Sequence, residues 1–418
     1  MSPVAFMDWR RWMGAGLVLA VVCALAVPAF GHGAVARRAT AQQCADPGSP
    51  TRDPANPIAL AQPPGADPLT GAQLFVDGPA HGAAAGAIAS LLGLKPTSLP
   101  SSESWSSFQH SLSSGPLATR LAADAGLAHK VSELEKIAAQ PEVQKLSAYS
   151  RGGGPGAVFL QAEKLLCQNL TADPGAIPIF STDFLNPAAG ACPKTRALAA
   201  AGPVFRRRVN ELADAIGHRS VGLLLELNSI GTSKCVQRRG SLPTWESFLR
   251  YEISTLSALP HTLTYTEAGY SDANSVSYTA RVLNAIGVGK IRGFYTNDTH
   301  LQWTSNEVQW ATKISRMTHG AHFIVNTADN GRGPLLNPHP ATQGIENLCN
   351  PPGRGLGPLP TTQTGFARAD AWLWTAPPGN SSGCGGAPPP GIFWPALAIR
   401  LAEHANGQLG PHSASRPY

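Results

Sequence analysis

The sequence predicts an α/β fold in which parallel strands are wrapped by helices, and three observations carry that reading. Short apolar runs recur along the chain, the stretches between them have helical spacing, and the residue closing most runs is polar. The runs are Leu74 to Val76, Ile177 to Thr182, Val221 to Leu227, Leu263 to Thr266, Ile291 to Tyr295, His322 to Asn326 and Ala371 to Trp374. Between them, Phe205 to Ile216, Trp245 to Leu259, Val276 to Ile286 and Glu307 to Met317 gather apolar residues on one helical face. Such alternation gives parallel strands joined by helical crossovers, closed as a barrel or left open as a doubly wound sheet. In either, ligands collect at the carboxyl ends of the strands, which here read Asp183, Asn228, Glu267, Asn297 and Asn326. One polar residue in such a place only caps the next helix; five in register point to a site.

The flanks read differently. Arg10 and Arg11 precede an apolar run from Met13 to Phe30, and the small residues Ala34 and Ala36 follow, so residues 1–36 read as an export signal peptide. An uncleaved membrane anchor is the alternative. Residues 37–66 form a Pro- and Ala-rich linker and residues 407–418 a disordered tail, which leaves 67–406 as the domain. With 32 Lys and Arg against 26 Asp and Glu, the net charge is +6, but the basic residues are scattered and form no stripe for nucleic acid. No later apolar run is long enough to cross a bilayer, which places the processed protein outside the cell or at its envelope. No residue pattern calls for a cofactor or a metal. Of seven cysteines, Cys23 lies in the signal, and the other six suit disulfides in an exported chain.

Several motifs then narrow the class. LLLELNSI at Leu223, DPLTGAQLFVD at Asp67, RGFYTN at Arg292, FIVNTADNG at Phe323, CNPPGRGLG at Cys349, DAWLW at Asp370, PPGNSSGCGG at Pro377 and GIFWPALA at Gly391 follow one another in a familiar order. In order and spacing they resemble glycoside hydrolase family 6, the cellobiohydrolases and endoglucanases that cut β-1,4-glucans. The resemblance implies a distorted seven-stranded parallel (β/α) barrel with a cleft or tunnel for a polysaccharide chain. It also implies bridges from Cys192 to Cys235 and from Cys349 to Cys384. Cys44 and Cys167 are left to pair with each other or to stay apart.

The same resemblance implies that the catalytic carboxylates are gone. The family's proton donor falls on Asn228, the aspartate that tunes it on Ala191, and the candidate base on Ser382; the lysine and glutamate of the base loop fall on Ala376 and Asn380. An amide has no proton to give. Asn326 and Asn347 also stand where the family has aspartate, and family tryptophans fall on Ala273, Val276 and Leu348. Phe75, Tyr270, Trp303 and Asn326 remain as candidate sugar contacts. New acids arise at Asp183, Glu267 and Asp329, with Asp272 and Asp298 nearby. They are either a relocated acid and base, with Glu267 the first choice as donor, or solvated loop acids, some of them cation ligands. The sequence therefore leads to an exported carbohydrate-active protein, a non-catalytic binder of polysaccharide or cell-wall glycan, with an active glycoside hydrolase as the alternative.

Overall fold

Seven strands run parallel and neighbour one another in chain order: β1 (Val143–Ser147), β2 (Ile179–Asp183), β3 (Val221–Leu225), β4 (Thr262–Glu267), β5 (Gly293–Thr296), β6 (His322–Asn326) and β7 (Ala369–Leu373). The computed structural model describes residues 67–147, 154–173, 175–190, 192–334 and 349–405. The signal, the linker, the tail, Cys44, Ala191, Asn347 and Leu348 lie outside the described residues. The sheet curls into a half-barrel, and no pairing closes β7 onto β1 among the described residues. This is the distorted barrel that the sequence led us to expect.

Period-two alternation divides each strand between two cores. Val221, Leu223 and Leu225 of β3, like Phe323 and Val325 of β6, pack outward beneath the helices. Leu224 and Ile324 point the other way, into an inner core with Leu263, Tyr265, Tyr295 and Leu373. Helices Thr195–Ile216, Leu242–Leu256, Val276–Ile286 and Thr304–Met317 supply the outer layer, each covering one of the stretches with helical spacing. Val276–Ile286 shows why its bounds fall where they do. The Ser275 hydroxyl accepts from the Tyr278 N–H at its start, and Gly287, with φ 93°, ends it in a left-handed turn. A third cluster joins the helices Ala83–Leu91, Trp105–Ser113 and Ala125–Ala138 to the C-terminal helix Pro395–Glu403.

One strand assignment is corrected. Leu74 makes only an isolated bridge to Ile177, and the strand that completes the sheet is β1. Its sequence, VQKLS, carries Gln144 and Lys145 in the middle of an edge strand, where one side needs no partner and the apolar signal is weak.

Below the strand ends lies a buried ionic cluster. Asp370 of β7 takes Arg292 Nε at 2.7 Å and Nη2 at 3.0 Å, the Tyr265 hydroxyl of β4 at 2.7 Å, and lies 2.7 Å from His322 Nδ1 of β6. Arg292, directly before β5, is 0% exposed. Burial raises the Asp370 pKa, but hydrogen bonds from His322, Arg292 and Tyr265 outweigh it and hold the carboxyl below its usual range.

Both expected disulfides are present, Cys192–Cys235 with Cα atoms 5.7 Å apart and Cys349–Cys384 with 6.1 Å. Cys167 is buried in helix Ala157–Ala172 and is also disulfide-bonded.

Asp370→Asn leaves Arg292 without its counter-charge, so urea denaturation at neutral pH is expected to show a loss of about 3 to 5 kcal/mol. Because the folded carboxyl is depressed, this contribution holds above the ordinary carboxylate range and disappears as pH falls through it. A substitution costing less than about 1 kcal/mol would remove the cluster as a structural anchor. Opening the Cys192–Cys235 bridge by paired serine substitution is expected to cost about 2 to 4 kcal/mol in the same assay.

Candidate substrate cleft

The carboxyl ends of the strands open into one cavity of about 1660 Å³. Its centre is built at the turn after β3. Glu226 (φ 53°) and Asn228 (φ 56°) both adopt the left-handed conformation that L-residues avoid, and neighbouring groups hold them there. The Glu226 carboxylate accepts the N–H groups of Phe184 (2.8 Å) and Leu185 (2.9 Å), and its own N–H donates to Thr182 Oγ1 (2.8 Å). Asn228 suits the second position because asparagine tolerates this conformation better than most residues.

Asn228 is the hub of the cleft. Its N–H donates to Asp298 Oδ2 at 2.7 Å, and its side-chain oxygen accepts a short hydrogen bond from the Tyr270 hydroxyl. That hydroxyl in turn accepts from Thr299 Oγ1 at 2.8 Å, which fixes its proton on the Asn228 side. Tyr270 reaches in over Gly231, where any side chain would collide with the tyrosine ring. The His300 ring stacks on Tyr270 with centroids 3.5 Å apart and planes 8° apart. Asp272 accepts from Gln302 Nε2 and lies 2.9 Å from His300 Nδ1. Burial pushes the Asp272 carboxyl up, but the hydrogen bond and charge of His300 prevail and lower it.

The acids singled out in the sequence separate into two kinds. Glu267 does not reach the cavity. It is 0% exposed, and its Oε2 accepts from Ile230 N–H (2.5 Å), Gly231 N–H (3.1 Å) and Ser229 Oγ (3.3 Å), capping helix Ser229–Arg238 from β4. The expected donor is thus a structural cap. Asp183 lines the cavity but is committed to Lys145, 2.9 Å away. Asp329 lines it as well, one of its oxygens is buried without a partner, and burial lifts its pKa to about 7. Asp298 is 3% exposed and also lines the cavity, with Oδ1 unpartnered. Burial lifts its pKa to about 6 against the pull of the Asn228 N–H and His300.

Ser382, Ala376 and Asn380 all line the cavity, and none of the three is a carboxylate. Of the candidate sugar contacts, Tyr270 lines the cavity, though His300 covers one of its faces. Asn326 lines it too, but its oxygen accepts from Thr375 N–H (3.0 Å) and its nitrogen donates to the Asn297 carbonyl (2.8 Å), so the amide works as a lock between strand ends. Phe75 is 3% exposed and does not line the cavity, and Trp303 packs against Gly333 instead. Sequence reasoning missed Asp77 and Glu142 as cavity acids. Asp77 ends a motif read only for its resemblance, and Glu142 precedes the strand that the apolar pattern failed to reveal.

A curled parallel sheet with a large cleft at its strand ends, beside a loop pinned by the Cys349–Cys384 bridge, defines a parallel α/β-barrel scaffold with room for an extended ligand. The family model for Glycosyl hydrolases family 6 matches residues 204–405. Endoglucanase 1 of Streptomyces sp. (strain KSM-9) is 28% identical over 277 residues, 64% of this chain and 70% of that protein. Endoglucanase A of Cellulomonas fimi is 32% identical over 159 residues, 38% of this chain and only a third (33%) of that relative's length. Among solved structures, the endoglucanase Cel6 from Mycobacterium tuberculosis, in complex with a thio-linked cellobioside, superposes with a TM-score of 0.62 at 26% identity. That match covers 82% of this chain and 100% of the other. The chain belongs to glycoside hydrolase family 6.

Buried acids dominate the pH behaviour expected of this site. Burial raises Asp77 and Asp298 to about 6, Glu226, Glu307 and Asp329 to about 7, and Glu142 to about 8. Between the ordinary carboxylate range and these values the folded state holds protons that the unfolded state has released, so stability falls as pH rises from about 4.5 to about 8. Asp370 and Asp272 act oppositely at lower pH. Thermal melts are therefore expected to peak at mildly acidic pH, and a maximum at pH 7.5 or above would contradict this distribution of buried acids.

Proposed function

We propose that the cleft binds a polysaccharide of the β-1,4-glucan type without cleaving it by the family's route. Support comes from the relatives, endoglucanases and 1,4-β-D-glucan cellobiohydrolases by name, and from the superposition of this fold on an endoglucanase solved with a thio-linked cellobioside. One observation carries the non-catalytic half. At the position of the family's acid, the Asn228 oxygen is held by Tyr270, and its amide nitrogen has no protein partner among the described residues. That nitrogen is a fixed hydrogen-bond donor for a bound sugar; it has no acidic proton to transfer. The resemblance places the rest of the proton machinery on Ala191 and Ser382, which lack it too. The signal-like N-terminus and the disulfides favour a location outside the cell or at its envelope.

A second reading, hydrolysis by relocated carboxylates, draws on Asp298 and Asp329 rather than on Glu267. Both line the cavity with an idle oxygen, and burial lifts both toward the range in which a carboxyl exchanges protons near neutral pH. Glu267 is spent on a helix cap and Asp183 on Lys145.

The binding reading expects no reducing ends from soluble cellulose derivatives or cello-oligosaccharides, and none after Asn228→Asp alone, since a restored acid still lacks its base. Asn228→Ala is expected to weaken binding of whichever glycan is retained on an array by several-fold, the value of about one hydrogen bond. Turnover by the unaltered protein that is abolished by Asp298→Asn or Asp329→Asn establishes the second reading instead.

A further inference from the structure

The central acids of the cleft make no ion pair among the described residues, although Lys145, Lys164 and Arg354 line the same cavity. Asp298 is 3% exposed and lines the cavity; one oxygen holds the Asn228 N–H, and the other is buried just behind the wall without a partner. Asp329 is placed in the same way beyond β6, and neither makes an ion pair within 4 Å among the described residues. The nearest charged groups acting on Asp298 are Glu267, which is acidic, and His300, which is occupied by Asp272. Toward β1 the same cavity holds a second acidic pair. Asp77 accepts from Gln144 Nε2 at 2.8 Å, Glu142 accepts the first N–H groups of helix Ala83–Leu91, and the two repel each other. The bases on that side are partly committed: Lys145 serves Asp183, while Lys164 and His81 face each other.

A neutral glucan is gripped mainly by flat aromatic faces, and this cavity has few. Tyr270 is covered on one side by His300, and Phe393 is the other aromatic ring along the wall. Sugar hydroxyls hydrogen-bond to carboxylates, but they leave the negative charge uncompensated once a bound ring has expelled the water. An ammonium group supplies three donors and the missing charge together. We propose that this cleft takes a cationic glycan, a 1→4-linked amino-sugar polymer with free amines, and that Asp298 and Asp329 receive the amines at its centre while Asp77 and Glu142 form a second station. Two acidic stations in one cavity suit a repeating charge better than a single sugar. The proposal rests on the polysaccharide-binding reading above and specifies its ligand.

Calorimetric titration of the full-length protein at about pH 6, where amino-sugar amines are largely protonated and a bound ammonium is expected to drive protons off the raised carboxyls of Asp298 and Asp329, distinguishes a cationic from a neutral glycan. The probes are the hexamers of glucosamine, N-acetylglucosamine and glucose, all joined by β-1,4 links. The glucosamine hexamer is expected to bind at least tenfold more tightly than either neutral hexamer and to weaken as salt is added. Asp298→Asn and Asp329→Asn are each expected to reduce the ratio of cationic to neutral affinity several-fold, with an unchanged circular-dichroism spectrum and melting temperature reporting that the fold is intact. Neutral hexamers binding as tightly as the cationic one overturn the charge assignment and leave the polysaccharide reading in place. Failure of all three to bind overturns both.

Discussion

The buried pairing of Asp370 with Arg292 is the constraint on which the upper half of the molecule depends. Arg292 stands directly before β5, His322 opens β6, Tyr265 lies in β4 and Asp370 in β7, so one carboxylate ties four consecutive strands together inside the half-barrel. Such a cluster is a weak source of net stability, because removing its charges from water offsets most of their attraction. Its strength lies in geometry. A strand shifted by one residue would turn the charged partner to the other face and strand the rest, so the register of β4 to β7 is set there. Above it, Asn297 and Asn326 exchange side-chain amide bonds with each other's backbone carbonyls, at 3.0 and 2.8 Å, and hold the strand ends level.

With the strand ends fixed, the cleft's chemistry depends on how each carboxylate is used. Glu226 and Glu267 have become helix and turn caps, and Glu307 likewise accepts the Ser271 N–H at 2.9 Å. Burial raises all three, and backbone N–H donors oppose the rise. Glu267 Oε1 and Glu307 Oε2 also lack a partner, as does one oxygen each of Asp298 and Asp329; the two aspartates differ in lining the cavity.

The amide at Asn228 suits its place in the fold. The turn after β3 requires a left-handed residue at this point, and asparagine meets that requirement. Its amide oxygen then accepts the hydroxyl of Tyr270, which the absence of a side chain at Gly231 admits. An aspartate at the same place would have to share the small volume with Asp298, whose carboxylate already holds the backbone N–H of residue 228. The presence of Asp298 and the amide at 228 therefore fit each other: two carboxylates so close would repel, and one would have to stay protonated.

The sequence by itself determined the sheet, the two bridges and the family. Apolar runs of strand length and helical spacing between them follow from burial periodicity alone, which is why six of the seven strands and the four outer helices were legible. β1 was not, because an edge strand with Gln144 and Lys145 at its middle carries little apolar signal. The family resemblance also pointed to Ser382, Ala376 and Asn380, and all three line the cleft. The role of each remaining acid was decided only by the tertiary structure. Glu267 and Asp298 lie one strand apart, and the sequence favours Glu267 as the acid, yet Glu267 faces the N-terminus of helix Ser229–Arg238 and Asp298 lines the cavity. Whether a carboxylate caps, pairs or waits for a ligand depends on which donors the fold brings within 3 Å of it, and those donors come from residues tens of positions away.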